Sequence, residues 1–313
     1  MSEVATEKHY QVEHTTRYDY AEPVVHAHHL LHLTPRQHAW QHTMRYQLEL
    51  LPLVGLLHEA KDAFGNTVHR LEIEGAHECL AVTARSEVVV QSRPVWSAAN
   101  SLMWERLQDE LSYFGRPRTA TELEALSFRT ESPHGRIKNV FAEFARGCFP
   151  RACPVLQGAE RLMEKIYTEM TYAPGETQVN TSSFAVLEKR RGVCQDFAHL
   201  MIACLRSLGL SARYVSGYLR TQPPEGSPPL VGADASHAWV SVYAPPFGWV
   251  DLDPTNNVRV GTDHITLAWG RDFSDVSPLR GVIIGGGSHR VSVAVTVSEC
   301  PSPVLNAEAA SNG

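Results

Sequence analysis

The sequence lacks the charge pattern of a nucleic-acid-binding protein. Its 28 Lys and Arg residues are outnumbered by 34 Asp and Glu residues, which gives a formal net charge of −6. It has neither a basic stripe nor an acidic tail. Attraction to a phosphate backbone or to an anionic membrane surface therefore has no electrostatic support. We predict neither nucleic acid nor membrane as a partner.

Long apolar runs and a leader segment are also missing. The longest apolar runs are too short to span a bilayer, and the opening MSEVATEKHYQVEH has no basic segment followed by an apolar one. We therefore expect a cytoplasmic location. Six cysteines in 313 residues are too few and too scattered for a disulfide framework, so we expect reduced thiols. Cys148 and Cys153 lack the second pair that a zinc site needs, and we interpret them as partly buried thiols.

The N-terminal third alternates apolar and polar residues, which is typical of half-buried strands. Turn-forming residues separate these runs, notably at Glu22-Pro23, at DAFGN from Asp62 to Asn66, and at Gly75. The sequence predicts an α+β protein that begins with an antiparallel, β-sandwich-like domain over residues 8–92. A helical connection follows over 93–157, then a core domain over 158–300 and a disordered tail over 301–313.

Four histidines in the run VVHAHHLLHL raise the question of a metal site. His26 and His28 would share one face of a strand, whereas His29 and His32 fall elsewhere in the same run. Metal sites need converging ligands, and no carboxylate or thiol stands nearby at a suitable spacing. We therefore interpret the run as a polar strand face, and we predict no metal and no cofactor.

Cys194 stands at the start of the most apolar helical stretch of the chain. Apolar residues lie on nearly every face of the segment from Cys194 to Leu208, which predicts a helix buried in a domain core. Gly209 occupies the position of a left-handed helix cap. A thiol in the first turn of such a helix meets unpaired backbone N–H groups and the positive end of the helix dipole, which favour a nucleophilic thiolate. A lone cysteine in such a helix is more often a small buried side chain, so Cys194 needs further support from the rest of the chain.

A nucleophilic thiol needs a base and a group that orients the base, and two strand-like segments supply both. If SHAWVSVY and GWVDLDP pair as a hairpin about Pro245-Pro246, then His237 and Asp253 lie opposite each other to within one residue. The carboxylate could then accept the imidazole N–H and fix its tautomer. Asp251 would share that face but fits this pairing less well. The proline-rich segment TQPPEGSPPLVGAD before the hairpin could overhang the site.

These segments resemble a known family. GVCQDFAHL, RYVSGYL, SHAWVSVY and GWVDLDPTN are similar to the core of bacterial transglutaminase-like proteins, within the papain-like cysteine enzyme superfamily. EHTTRYDY, LTPR and DAFGN resemble the N-terminal β-domain of the same bacterial proteins. The resemblance covers residues 8 to about 300. It implies a fold in which a helix carrying the cysteine packs against an antiparallel sheet carrying the histidine and the aspartate.

The resemblance also implies a chemistry. Cys194 matches the nucleophile, His237 the general base and Asp253 the orienting acid, and a thioester forms from a peptide or protein amide. The oxyanion would be held by the backbone N–H of Cys194 and by a second donor, either the Gln195 side chain or the Tyr172 hydroxyl. Animal transglutaminases have tryptophan after the cysteine where this chain has Gln195, so their calcium sites and cross-linking are not carried over.

Several functions remain open at this level. We expect hydrolysis, as by an amidase or cysteine peptidase, because water is abundant and its exclusion requires a closed tunnel. The alternatives are transamidation, a non-catalytic peptide-binding module that retains the fold, and arylamine acetyltransfer, which would need a cofactor-binding surface. A homo-oligomer also remains open.

Overall fold

The computed structural model describes residues 7–53, 55–112, 115, 117–177, 180–220 and 236–301. Strands make up most of its regular structure, and helices fill the middle of the chain. The strands are β1 (Glu7–Leu31), β2 (Gln41–Leu51), β3 (Leu56–Lys61), β4 (Thr67–Gln91), β5 (Thr171–Tyr172), β6 (Arg191–Gly192), β7 (Ala212–Leu219), β8 (Ser236–Tyr243), β9 (Trp249–Asp253), β10 (Val258–Arg259), β11 (His264–Gly270), β12 (Leu279–Gly285) and β13 (His289–Cys300). The α-helices are α1 (Trp104–Ser112), α2 (Ala120–Ser127), α3 (Asn139–Arg146), α4 (Val155–Glu169), α5 (Ser183–Lys189), α6 (Cys194–Ser207) and α7 (Phe273–Val276).

The predicted α+β architecture with an N-terminal antiparallel β-domain is confirmed. The domain is a six-stranded sheet built on two 25-residue strands, β1 and β4, which pair with each other along most of their length. The turns expected at Glu22-Pro23 and Gly75 are instead irregularities inside these strands. The pairing of β1 with β4 shifts between Asp19 and Val24, which accommodates a proline that has no N–H to donate.

The side chains of β1 that face the domain core change from even-numbered to odd-numbered positions at these irregularities. Tyr20 and Val24 are buried at even-numbered positions, whereas Ala27 and Leu31 are buried at odd-numbered positions after the next register shift. One extra residue in a strand reverses which side chains face the core. The domain core consequently draws on both halves of β1, together with apolar residues of β4 such as Leu80.

The two C-terminal strands join this first sheet. The sequence predicts these strands at the end of the core domain (158–300), but β12 pairs with Val24–Leu31 and β13 pairs with His9–Tyr20, both on the same edge of β1. The physical reason is that β1 would otherwise present a long row of unpaired N–H and C=O groups at the sheet edge. The first and last strands of the described residues, β1 and β13, are therefore hydrogen-bonded to each other.

The second sheet carries the candidate site. Its five strands have the order β10-β9-β8-β7-β11, with antiparallel neighbours. The predicted buried helix is confirmed as α6, which packs on β7 and β8 and is surrounded by α3, α4 and α5. Gly209 follows it with a φ of 71°, as the predicted left-handed cap requires. No helix in the described ranges is both long and apolar enough to cross a bilayer.

Polar contacts tie the two sheets together. Lys8 and Tyr10 of β1 donate to Asp263 at 2.7 and 3.0 Å. Deeper in the interface, Nδ1 of His14 lies 2.8 Å from the hydroxyl of Tyr218 on β7. The N-terminal sheet therefore supports the back of the sheet that carries the candidate site.

Candidate active site

Helix α6 begins at Cys194, and its first turn is closed by a buried carboxylate. Asp196 Oδ2 accepts hydrogen bonds from the Val193 backbone N–H at 2.9 Å and from the Thr177 hydroxyl at 2.7 Å. A Cβ at position 192 would lie 2.7 Å from the Cβ of Asp196, so only glycine fits before the cysteine. Cys194 is partly exposed at this helix end, in contrast to Cys204, which is fully buried ten residues further along the helix.

His237 and Asp253 lie on adjacent strands, and the structure brings them together. Nε2 of His237, near the start of β8, is 2.8 Å from Oδ2 of Asp253, the last residue of β9. The strand register differs from the expected one, because Val240 pairs with Leu252. His237 and Asp253 are therefore diagonal neighbours on one face rather than direct partners.

Asp251 lies on the same face but makes other contacts. Its carboxylate forms an ion pair with Arg93 at 2.8 Å and lies within 3.4 Å of the Trp239 indole nitrogen. It pairs with Ser241 of β8 and lies two residues before Asp253 on β9. Asp251 thus anchors the segment after β4 and does not contact the His237 imidazole.

Asp253 is fully buried and bound by several donors besides His237. Its Oδ1 accepts from the Thr255 backbone N–H at 2.9 Å, and its Oδ2 accepts from the Asn256 side chain at 2.7 Å and lies 3.2 Å from Nε2 of His264. Sequence reasoning missed Asn256 and His264. The signal for His264 is topological, because β8 and β11 both flank β7 and begin at the same end of the sheet.

The electrostatics of the pair favour a charged imidazole. Burial alone would lower the pKa of His237, but hydrogen bonds and charge from Asp253 and Cys194 raise that pKa to about 10. Burial alone would raise the pKa of Asp253, but hydrogen bonds from His237 and His264 hold it well below its usual range. At neutral pH, His237 is therefore a proton donor and Asp253 a carboxylate.

The thiol lies beside this imidazole. Cys194 is close enough to His237 for a hydrogen bond and charge from the thiol to contribute to the raised pKa of the imidazole. Because Nε2 of the ring lies 2.8 Å from Asp253, Nδ1 is the nitrogen that remains for the sulfur. The three predicted residues thus converge at one end of the second sheet. This arrangement can hold a thiolate next to an imidazolium and deliver a proton to a leaving group.

The two residues predicted as oxyanion donors both lie near Cys194 in the fold. Tyr172 pairs with Gly192 across β5 and β6, and burial followed by the nearby Cys194 charge raises the pKa of its hydroxyl. Gln195 follows Cys194 in the first turn of α6 and is partly exposed. The choice between them stays a prediction. The proline-rich segment 221–234 and the tail 302–313 lie outside the described residues.

One group at the site has the geometry of metal ligands. The ligand atoms of His237, Asp253 and His264 lie within 4.8 Å of one another. The Nε2 atoms of both histidines, however, already lie within hydrogen-bonding distance of the Asp253 carboxylate. The contacts therefore fit a carboxylate that orients the two imidazoles.

Comparison with known proteins agrees with this geometry. Residues 10–89 match the bacterial transglutaminase-like N-terminal region, and residues 142–254 match the transglutaminase-like superfamily. An uncharacterized protein from Mycobacterium tuberculosis is 36% identical over 299 residues, which are 93% of this chain and 92% of that protein. A protein-glutamine gamma-glutamyltransferase from Pseudomonas aeruginosa is 35% identical over 89 residues, 28% of this chain and 13% of that enzyme.

A solved structure shares the whole fold. The crystal structure of a protein from Cytophaga hutchinsonii, provisionally assigned as a cysteine protease, superposes with a TM-score of 0.73 at 19% identity. The match covers 96% of this chain and 94% of the other. The chain therefore belongs to the transglutaminase-like superfamily and carries the N-terminal region of its bacterial members.

Proposed function

We propose that this protein is a cysteine-dependent amidase or peptidase that forms a thioester on Cys194 and hydrolyses it. One observation carries the proposal. The imidazole of His237 lies 2.8 Å from the Asp253 carboxylate, and the Cys194 thiol is close enough to contribute to the raised pKa of that imidazole. An imidazole held between a thiol and a buried carboxylate is the arrangement that nucleophilic catalysis by cysteine requires.

The residues divide the reaction into two balanced steps. The Cys194 thiolate attacks the carbonyl carbon of the amide, and the His237 imidazolium gives its proton to the leaving nitrogen as the C–N bond breaks. Water then attacks the thioester, and His237 takes a proton from that water as the C–S bond breaks. The products are a carboxylic acid and an amine, and the enzyme regains its thiolate and imidazolium. Asp253 keeps the ring oriented and stabilises its charge throughout.

Access of water supports hydrolysis over transfer to an amine. Tyr172, beside the sulfur, is 54% exposed, and Cys194 itself is partly exposed. A thioester open to water is hydrolysed unless the site excludes water or binds the competing amine tightly.

Transamidation is the second candidate. The similarity over 89 residues to a protein-glutamine gamma-glutamyltransferase favours it. A transferase of this kind would use the same acylation step and would differ only in what attacks the thioester. The two candidates therefore predict different products from one acyl-enzyme.

Product analysis separates these activities. Purified protein is incubated with a panel of peptides that contain glutamine side chains and internal peptide bonds, with and without a primary amine, and the products are weighed by mass spectrometry. We expect cleavage or deamidation that the amine does not suppress, and no reaction with Cys194→Ala. Amine adducts as the main product would establish transamidation instead. Failure of a cysteine-directed acyl probe to modify wild-type Cys194 would contradict both.

A further inference from the structure

A second group of ligand-bearing side chains lies in the N-terminal domain, away from the candidate active site. Nε2 of His26 and Nε2 of His28 are 2.8 Å apart, and Oε1 of Glu72 lies 3.6 Å from each. These three residues form the His26–His28–Glu72 cluster. The sequence interpretation was wrong on one point, because a carboxylate does stand beside the two histidines.

The register between β1 and β4 brings these three residues together. The register shift between Val24 and His26 turns the even-numbered residues of β1 outward, so that His26 and His28 share the exposed face. Antiparallel pairing then sets Glu72 of β4 directly opposite His28. His29 and His32 are buried and lie outside the cluster. Bulges that re-aim side chains in this way are common next to functional sites.

We propose that the His26–His28–Glu72 cluster binds a divalent transition-metal ion, most specifically Zn²⁺. In a tetrahedral zinc site with bond lengths near 2.0–2.1 Å, neighbouring ligand atoms are separated by about 3.3–3.4 Å. The three separations in the cluster lie on either side of that value, at 2.8, 3.6 and 3.6 Å. Shifts of a few tenths of an ångström complete the triangular face of the tetrahedron.

The donor set selects the class of ion. Two imidazoles and one carboxylate suit Zn²⁺, Cu²⁺ or Ni²⁺, whereas Ca²⁺ and Mg²⁺ prefer oxygen ligands throughout. The ligands are accessible, because the side chains of His26, His28 and Glu72 are 31%, 59% and 29% exposed. Binding therefore requires no opening of the core.

The fourth coordination position has room for a further ligand. His28 and Glu72 line a surface groove of about 630 Å³, which also includes His58, Leu56 and Val282. Three protein ligands with an open position can hold water or an outside donor. A bound ion would also bridge β1 and β4 just after the register shift, so it should stabilise the long sheet.

Isothermal titration with ZnCl₂ tests the proposal on the full chain, purified without a polyhistidine tag and stripped with a chelator. The proteins compared are wild type, His26→Gln, Glu72→Gln, and two controls. His42→Gln changes an exposed histidine of β2 outside this groove, and Cys194→Ala removes the catalytic thiol as a competing ligand. Thermal melts without metal check that each variant folds.

We expect one Zn²⁺ per wild-type chain, with affinity lowered at least about tenfold in His26→Gln and Glu72→Gln and unchanged in both controls. Zn²⁺ should raise the melting temperature of wild type and of the controls, but not of the two cluster variants. The proposal is overturned if wild type binds no stoichiometric Zn²⁺. It is equally overturned if the cluster variants bind as wild type does, or if Cys194→Ala alone loses the ion, since the ion then sits at the catalytic cysteine.

Discussion

Nε2 of His264 lies 3.2 Å from Oδ2 of Asp253, inside the second sheet. The same carboxylate oxygen binds His237 at 2.8 Å, so one atom links the two histidines. Nδ1 of His264 is buried and has no hydrogen-bond partner among the described residues, which assigns the proton to Nε2. His264 is therefore a donor that holds the carboxylate in place, a positioning residue that acts through Asp253.

We expect His264→Leu to lower kcat roughly tenfold with little change in KM, because one buried hydrogen bond to a charged group is worth about 1.5–3 kcal/mol and part of that is recovered by Asn256 and the backbone. His264→Gln keeps an N–H donor and should regain part of the loss. Steady-state kinetics on any amide substrate measure both. An equal loss in the two variants, or a loss confined to KM, would show that His264 only fills space.

Thiol reactivity distinguishes an activated cysteine from a merely exposed one. We expect iodoacetamide at mildly acidic pH to label Cys194 at least tenfold faster than Cys79 and Cys300, which are also partly exposed. Cys204 should stay unlabelled, because it is fully buried and burial raises the pKa of its thiol. Peptide mapping of the alkylated protein gives each rate. Cys194 labelling that is no faster than that of Cys79 would remove the case for activation.

Substitution of the proposed catalytic residues tests the same assignment. His237→Ala should slow alkylation of Cys194 toward the rate of Cys79, and both His237→Ala and Cys194→Ala should reduce turnover to background while the thermal melts stay close to wild type. Cys300→Ser is the matched control and should keep full activity. Turnover that survives in either catalytic variant refutes the assignment.

The pH profile reports the charge of His237. Its pKa of about 10 depends on the interactions with Asp253 and Cys194, which overcome the opposing effect of burial. We expect kcat/KM to fall at high pH as the imidazole loses its proton, with an alkaline limb near pH 10. In Asp253→Asn the contribution of the carboxylate is gone while burial and the interaction with Cys194 remain, so the limb should move to lower pH, toward the ordinary value of 6.5.

Asp253→Asn should also lower kcat roughly a hundredfold or more, yet less completely than Cys194→Ala, since Asp253 orients the ring rather than transferring the proton. Initial rates in a constant-ionic-strength buffer series give both effects. An alkaline limb that stays near pH 10 in Asp253→Asn would show that Asp253 does not set the His237 pKa.

The sequence alone predicts the parts of the site that depend on local patterns. The all-round apolar run after Cys194 predicts a buried helix, and the short link between two strand-like segments places His237 near Asp253. Contacts between distant segments carry no such local signal. His264 reaches Asp253 only because β8 and β11 share β7 as a neighbour. Glu72 reaches His28 only through the register of β1 with β4.

The edges of the first sheet illustrate the same limit. The apolar run VII of β12 and the alternating pattern of β13 indicate strands but do not indicate which strand each one pairs with. The bulge after Val24 is likewise invisible in composition, although it decides which histidines face solvent. Pairing and register are tertiary properties, and a shift of one residue reverses every face.

Gly217 marks the tightest packing near the active site. It pairs with His237 across β7 and β8, and a Cβ there would overlap the carbonyl oxygen of Ile265 and the indole ring of Trp239. We expect Gly217→Ala to lower the free energy of unfolding by about 1–3 kcal/mol, and to lower kcat because Trp239 and His237 must shift. Gly147→Ala is the control, since a Cβ there meets open space at a helical φ of −64°. Urea unfolding that shows equal stability for both variants would contradict this packing argument.

His14 predicts how the interface between the sheets responds to acid. It is 1% exposed, and both of its ring nitrogens have partners, Nδ1 with the Tyr218 hydroxyl at 2.8 Å and Nε2 with the Thr16 hydroxyl at 3.0 Å. Burial lowers the pKa of His14 from 6.5 to about 4. The folded state therefore binds a proton less readily than the unfolded state does, so the stabilisation is complete above pH 6.5 and is lost as the pH falls toward 4.

A shift of this size corresponds to roughly 2–3 kcal/mol of unfolding free energy between pH 7 and pH 4. We expect His14→Gln to lower stability at pH 7 but to lose less stability on acidification than wild type, because the substituted residue does not titrate. His42→Gln, at an exposed position of β2, should keep the wild-type slope. Urea unfolding of the three proteins at pH 7, 5.5 and 4.5 measures the slopes. If the unfolding free energies of wild type and His14→Gln fall in parallel with pH, the prediction is wrong. His14 would then accept a proton in its buried position, beside its two hydroxyl partners, at no cost in stability.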